Sequence, residues 1–230
     1  MIKFENVTKT YKTATGEPLY ALSDINFHIK PGEFVSLVGR SGAGKTTIVK
    51  LLIGQEKPFK GNILFKGVNV PKVKLCDLQK IRRKIGVVHQ DYKLLFNKTV
   101  AENLSYIMQV IGVSDESIKR DVPQVLEIVG LEDRACNFPD ELSGGEKQRL
   151  AIARALVHRP EVIIADEPTG NLDLYNTYDI INLFKKIHNM GTTIILSTHD
   201  KEIVNHLNKR VITLNSGKIT SDEQKGKFKL

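Results

Sequence analysis

A chain of 230 residues, 41% hydrophobic and 26% charged, is neither disordered nor collagen-like in composition, and it is long enough for one large α/β domain or a core with a smaller lobe. No apolar run approaches the ~20 residues of a membrane span, and Met1-Ile2-Lys3-Phe4-Glu5 leads straight into strand-like sequence, so a cytoplasmic protein with no span and no signal peptide is expected. The formal charge of +8 leaves room for nucleic acid, an anionic membrane surface or a plain lysine-rich exterior, while Cys76 and Cys136 lack zinc or disulfide spacing.

Ile2 to Thr8 alternates polar and apolar residues, and Tyr20 to Ile29 repeats that period, which predicts an antiparallel edge sheet. Lys12 to Pro18 reads as a loop, and Tyr11 before it could pack or stack on a base. Pro31-Gly32 marks a turn into a buried strand, Glu33 to Val38. A helix over Lys45 to Ile53 ends at Gly54, followed by a short strand, Gly61 to Phe65, a charged helix, Leu75 to Lys84, and a buried strand, Ile85 to Val88. From Thr99 to Gly130 the apolar residues fall at helical spacing, so two amphipathic helices form an insertion. Ser143 stands as N-cap of, or just outside, a helix running through Lys147 to Val157. A buried parallel strand, Val162 to Ala165, precedes a helix from about Tyr175 to Met190 and a strand, Thr193 to Leu196. Arg210 to Leu214 is the last strand, Asn215 to Lys218 a hairpin turn, and Lys225, Lys227 and Lys229 a mobile basic tail.

Between the strand and the helix, Gly39-Arg40-Ser41-Gly42-Ala43-Gly44-Lys45-Thr46 satisfies G-x-x-x-x-G-K-[ST], with Thr47 next. Glycines let backbone N–H groups turn inward around an anion at a helix N-terminus, Lys45 adds a charge for the β and γ phosphates, and the Thr46 hydroxyl can ligate magnesium. Asp166 and Glu167 follow an aliphatic strand, where α/β sheets bind ligands. Asp166 is suited to hold the metal and Glu167 to orient or deprotonate the attacking water. His199 and Gln90 also follow aliphatic strands. The histidine is either structural or a donor to the γ-phosphate, and the glutamine either a surface amide or a ligand of metal or water.

The order of motifs, namely Gly39 to Thr46, Gln90, Leu142-Ser143-Gly144-Gly145-Glu146 with Gln148, Val162 to Glu167, Asn171-Leu172-Asp173 and His199, resembles the ATP-binding cassette (ABC) ATPases over nearly the whole chain. The resemblance implies a P-loop NTPase core of ABC type (residues 1–95 and 160–220), with an antiparallel β edge subdomain, an inserted helical subdomain carrying the signature (96–159) and a tail (221–230). It makes Tyr11 the adenine-stacking aromatic, Gln90 the Q-loop glutamine, Asp173 the D-loop aspartate and His199 the switch histidine. The catalytic set is then Glu167, His199, Gln90 and Lys45, and magnesium falls to Thr46, Gln90 and Asp166. ATP and Mg²⁺ are the implied cofactors. Ser143, Gly144, Gly145, Glu146 and Asp173 act in trans on the nucleotide of a second copy, in a homodimer formed on ATP binding.

Asp166 to Asp173 resembles the group containing lipoprotein-release, macrolide-export and cell-division cassettes. Gly32 to Val35, Gln90 to Leu95 and Asp222 to Gly226 look like its cell-division member. That implies an integral membrane partner docked near Tyr92, Lys93, Leu94 and Leu95, although the Leu-Leu pair could equally be core. No sustained heptads of the chromosome and repair ATPases occur, so nucleic acid is not expected. His89 stands where a Phe usually precedes the glutamine, and Arg40 where Pro is common; neither removes a catalytic group.

Overall fold

The computed structural model describes residues 1–13 and 16–226. Ala14 and Thr15 of the first loop, and Lys227 and Lys229 of the tail, lie outside the described residues. In chain order the elements are β1 (Ile2–Lys12), β2 (Pro18–Ile29), β3 (Phe34–Val38), α1 (Lys45–Leu52), β4 (Lys60–Phe65), β5 (Val68–Asn69), α2 (Leu75–Arg82), β6 (Ile85–Val88), α3 (Val100–Val110), α4 (Asp115–Val129), α5 (Gly144–Leu156), β7 (Val162–Asp166), α6 (Leu174–Asn189), β8 (Thr193–Thr198), α7 (Lys201–Leu207), β9 (Arg210–Asn215) and β10 (Lys218–Glu223). They divide into two compact units, residues 1–82 with the stretch from Thr193 onward, and residues 83–192.

The first unit holds an antiparallel sheet, β2-β1-β4-β5, and the strands β10-β9-β3-β8. Alternation puts Phe4 and Phe27 on the buried face of the first sheet, where their rings stack 4.5 Å apart. β1 runs past the expected Thr8 to Lys12, because register shifts after Phe4 and Val7 break the strict period without ending the pairing. β3 is buried throughout and pairs in parallel with β8 on one side and β9 on the other. This explains its continuous apolar sequence. β10 closes the edge through a two-residue turn, with Ser216 and Gly217 at φ 46° and 75°. The Asp222 to Gly226 stretch has a structural role here. Arg210, 8% exposed, donates to Asp222 at 2.8 and 2.7 Å, to Glu33 at 3.0 Å and to the His28 carbonyl at 2.7 Å.

In the second unit β6 and β7 pair in parallel, Ile85 with Val162 through Val88 with Ala165. α3, α4 and α6 pack with α5, which also lies against β6, so this unit is wider than the helical segment expected over 96–159. α3 starts with a Thr99/Glu102 capping box. Buried Asn103 fixes the preceding loop by bonding the Leu95 N–H and carbonyl, both at 3.0 Å. α4 is capped by Ser114 and ends at Gly130 in the left-handed region. α5 begins at Gly144 with Ser143 as its N-cap, the first of the two positions expected for that serine.

Candidate active site

The phosphate loop links β3 to α1. Gly44, the residue before the helix, has φ 107° and lies so close to Leu22 and the Ala21 carbonyl that a methyl group there would be 2.6 and 2.8 Å from them. Only glycine meets both demands. The hairpin tip supports the loop from behind, Gly217 donating to the Ala43 carbonyl at 3.2 Å. Lys45 is 5% exposed and spans the loop, its Nζ donating to the carbonyls of Gly39 (2.7 Å) and Arg40 (3.2 Å). No side chain caps α1 and no acid lies in its first turn, so its positive end is left for an anion. Arg40, Ser41, Gly42 and Thr46 are exposed around this end, and Thr47 is half-buried.

Tyr11, near the end of β1, belongs to the same unit. Burial pushes its phenol pKa up, helped by Glu56, while Thr47 opposes the shift, so its hydroxyl is held beside the first turn of α1. Lys9 lies 4.9 Å from the ring centroid and bonds Glu56 at 3.0 Å. His199 is placed by register: Val38 pairs with Thr198, so Gly39 and His199 leave adjacent parallel strands at the same end. The structure thus puts His199 level with Gly39 and Tyr11 beside Thr47.

In the second unit Val88 pairs with Ala165, which sets His89 level with Asp166 and Gln90 level with Glu167. Both carboxylates and the glutamine therefore emerge at the C-terminal ends of neighbouring strands. Glu167 has φ 49°, a left-handed backbone that is costly for glutamate and is characteristic of functional positions. Gln90 rests on Gly170, where a methyl group would be 2.9 Å from its Nε2, and its carbonyl accepts from Asn171 at 3.3 Å. One carboxylate oxygen of Asp166 is buried without a hydrogen-bond partner. Such an oxygen, with the Gln90 amide on the neighbouring strand end of the same unit, fits a hard cation such as magnesium.

The signature and Asp173 also lie together. Ser143 caps α5 through its hydroxyl, which accepts from the Glu146 N–H at 3.3 Å, and Glu146 returns by accepting from the Ser143 N–H at 2.8 Å. Arg134 neutralises Glu146 at 3.1 Å. The Ser143 backbone N–H, then its side chain and Arg134, hold the Glu146 carboxyl below its usual range. A methyl group on Gly145 would lie 2.1 Å from Asn176 Oδ1. Asn176 in turn bonds Asp173, the N-cap of α6, at 2.9 and 2.6 Å, and these bonds lower the Asp173 pKa. Ser143, Gly144, Asp173, Leu174 and Tyr175 are all exposed, Tyr175 at 87%.

Of the four residues expected near a partner, Tyr92 and Lys93 line a cavity in this unit, whereas Leu94 is buried and Leu95 is half-buried with its backbone held by Asn103. The Leu-Leu pair is thus not an exposed patch. Sequence reasoning missed Arg134, Asn176 and Arg154. Each meets a residue of another segment, Arg134 the Glu146 carboxylate, Asn176 the Gly145 backbone and Arg154 the Lys93 carbonyl, and only the Ser-x-x-Glu spacing of the signature hinted at the first.

Comparison with known proteins agrees with this geometry. A family model described as ABC transporter matches residues 22–170. The cell division ATP-binding protein FtsE of Streptococcus pneumoniae is 48% identical over 228 residues, covering 99% of this chain and 97% of that protein. FtsE of Bacillus subtilis is 46% identical, with 99% and 98% covered. Among solved structures, the dimeric post-hydrolysis state of the ATP-binding cassette MJ0796 bound to ADP and Pi superposes with a TM-score of 0.88 at 37% identity, covering 99% of this chain and 100% of that one. With its phosphate loop, acidic strand end and signature all in place, the chain belongs to the ABC transporter family, as an ATP-hydrolysing cassette among the FtsE-type ATP-binding proteins.

Proposed function

We propose that this chain is the ATP-hydrolysing subunit of an FtsE–FtsX-like membrane complex in bacterial cell division, coupling ATP-driven dimer closure to a membrane partner that regulates cell-wall hydrolysis. The observation that carries the reading is the similarity to cell-division FtsE over 99% of the chain, which spans the phosphate loop, the signature and the Arg210 anchor. Among the described residues no helix is long and apolar enough to cross a membrane. Attachment to the inner face of the cell membrane therefore rests on an integral partner of FtsX type.

In this reading Lys45 and the N–H groups of residues 39–47 hold the phosphates, and Tyr11 stacks on adenine. Thr46, Gln90 and Asp166 would hold magnesium, which would supply charge neutralisation at the phosphates. Glu167 accepts a proton from the attacking water, and His199 donates to the γ-phosphate. The face formed by Ser143, Gly144, Gly145, Glu146 and Asp173, of which Ser143, Gly144 and Asp173 are exposed, closes on the nucleotide of a second copy, in line with the dimeric cassettes this chain resembles. Buried phosphate charge then favours the closed dimer, and hydrolysis removes that preference.

The test is co-expression with the FtsX-type membrane protein of the same cell, followed by depletion of this chain. Co-purification in detergent and filamentous, undivided cells are expected. Normal division together with failure to co-purify would remove the reading.

A further inference from the structure

Three segments of the first unit meet around Tyr11: β1, the first turn of α1, and the loop of residues 53–59 that follows α1. The loop is fastened at both ends. Behind it, the N–H groups of Gln55 and Glu56 reach back to the Lys50 carbonyl at 2.9 and 3.3 Å. Ahead of it, the Phe59 N–H donates to the Thr8 carbonyl at 2.8 Å, and Lys9 Nζ donates to the Lys57 carbonyl at 2.9 Å. Glu56 is thus set by backbone bonds, and its side chain, 22% exposed, meets β1 at Lys9.

The Glu56 carboxylate gathers three groups. Lys9 lies 3.0 Å away, Lys50 lies 3.8 Å away, and the Tyr11 hydroxyl donates to it. Burial pushes the Glu56 carboxyl up, but the bonds from Tyr11 and Lys9 outweigh it and hold the group below its usual range. The acceptor therefore stays charged, which makes it the stronger tether. Thr47 bonds the same phenol from the side of α1. Lys9 also sits over the Tyr11 ring, 4.9 Å from its centroid, so a cation takes one face and the other is left for a base.

We infer that Glu56 is a positioning residue for base recognition, tying the Tyr11 hydroxyl and holding Lys9 against one face of the ring so that the opposite face is pre-set for adenine. The entropy of ordering the ring is then lost on folding and not on nucleotide binding. Thr47 lies in the first turn of α1 and Glu56 just past its end, so the same contacts fix the ring relative to the helix that receives the phosphates. This inference rests on the reading that Tyr11 stacks on adenine and adds what sets its ring.

The test measures ATP affinity by calorimetry on the full chain with Mg²⁺, steady-state turnover, and inhibition of that turnover by inorganic tripolyphosphate, which has no base. Glu56→Ala should weaken ATP roughly 3–10-fold and raise KM by the same factor, with kcat and the tripolyphosphate inhibition constant kept. Glu56→Gln, which retains an acceptor without the charge, should fall between that variant and the parent. Tyr11→Phe keeps the ring and loses the tether, so it should repeat the Glu56→Ala loss, and the double variant should add nothing further. Lys9→Met should weaken ATP as well. Should Glu56→Ala fail to fold, Glu56→Gln and Tyr11→Phe decide. Unaltered ATP affinity in Glu56→Ala, an equal loss for tripolyphosphate, or losses that add fully in the double variant overturn the inference. Tighter ATP binding by Lys9→Met also overturns it, because the lysine would then cover the face the base needs. Tyr11→Ala separates the two readings: lost ATP affinity there with none lost in Glu56→Ala sinks only this inference, whereas full affinity in Tyr11→Ala sinks the stacking reading with it.

Discussion

Two helices of this molecule present their N-termini to nucleotide phosphate in the proposed cycle, and they are finished in opposite ways. α1 begins with no side-chain cap and no acid, its entry formed by glycine and guarded by Lys45. α5 begins with a complete capping box, Ser143 against Glu146, and Arg134 cancels the charge of the glutamate. An open end attracts an anion by itself. A capped end is a settled surface that adds donors only when a phosphate is brought to it. In the proposed cycle the first end would bind nucleotide in a single copy, whereas the second would matter only in a closed pair.

The largest effect expected concerns the step that both ends serve. Glu167→Gln should lower ATP turnover by ~10²–10³-fold while nucleotide binding persists, and size-exclusion chromatography with ATP should show accumulated dimer. Unaltered phosphate release would remove Glu167 from its role. Ser143→Arg sharpens the contrast between the helix ends, because it should lower turnover by ~10²-fold with unchanged nucleotide affinity in the monomer. Equal loss of nucleotide affinity would mean that α5 is not reserved for a second copy. Gly145→Ala is smaller: its methyl group must displace Asn176 and with it the Asp173 cap. A cost of ~1–3 kcal/mol in denaturant unfolding and slower hydrolysis are expected. An unchanged unfolding midpoint would show that Asn176 gives way freely.

The smallest effect tests the cap alone. Because the Glu146 carboxyl is held below its usual range in the folded chain, its stabilising contribution is present above the ordinary glutamate pKa and is lost as pH falls through the folded value. Glu146→Gln should therefore cost less than ~1 kcal/mol at neutral pH and make Tm fall less steeply on acidification. A parallel acid dependence in both proteins would assign it to other carboxylates.

Much of this was legible in the sequence, for physical reasons that differ by element. The phosphate loop is local: its glycines, lysine and flanking strand and helix lie in one continuous stretch, so its conformation could be read directly. Asp166, Glu167, Gln90 and His199 were legible because each follows a mainly aliphatic strand, and parallel register sets Gln90 level with Glu167 in the second unit and His199 level with Gly39 in the first. The last turns of β1, the edge strand β10 and the short α7 escaped notice, since bulges, half-exposed pairing and brevity blur their periods. Arg154 and Asn176 were beyond reach for another reason. What they do depends on the Lys93 carbonyl for Arg154 and on Gly145 for Asn176, both supplied by other segments of the chain, and no spacing rule encodes that.

The first unit is assembled from the two ends of the chain, and this bears on how the protein is made. β3, which feeds the phosphate loop, lies between β8 and β9, and Glu33 meets Arg210 across 177 residues of sequence. A ribosome adding about 5–20 residues per second needs roughly 10–35 s to cover that distance. During that interval the phosphate loop exists as sequence without its flanking strands. The residues that mark the chain as an ATPase emerge early and become a binding site late, so an interrupted translation product carries the motif without its scaffold.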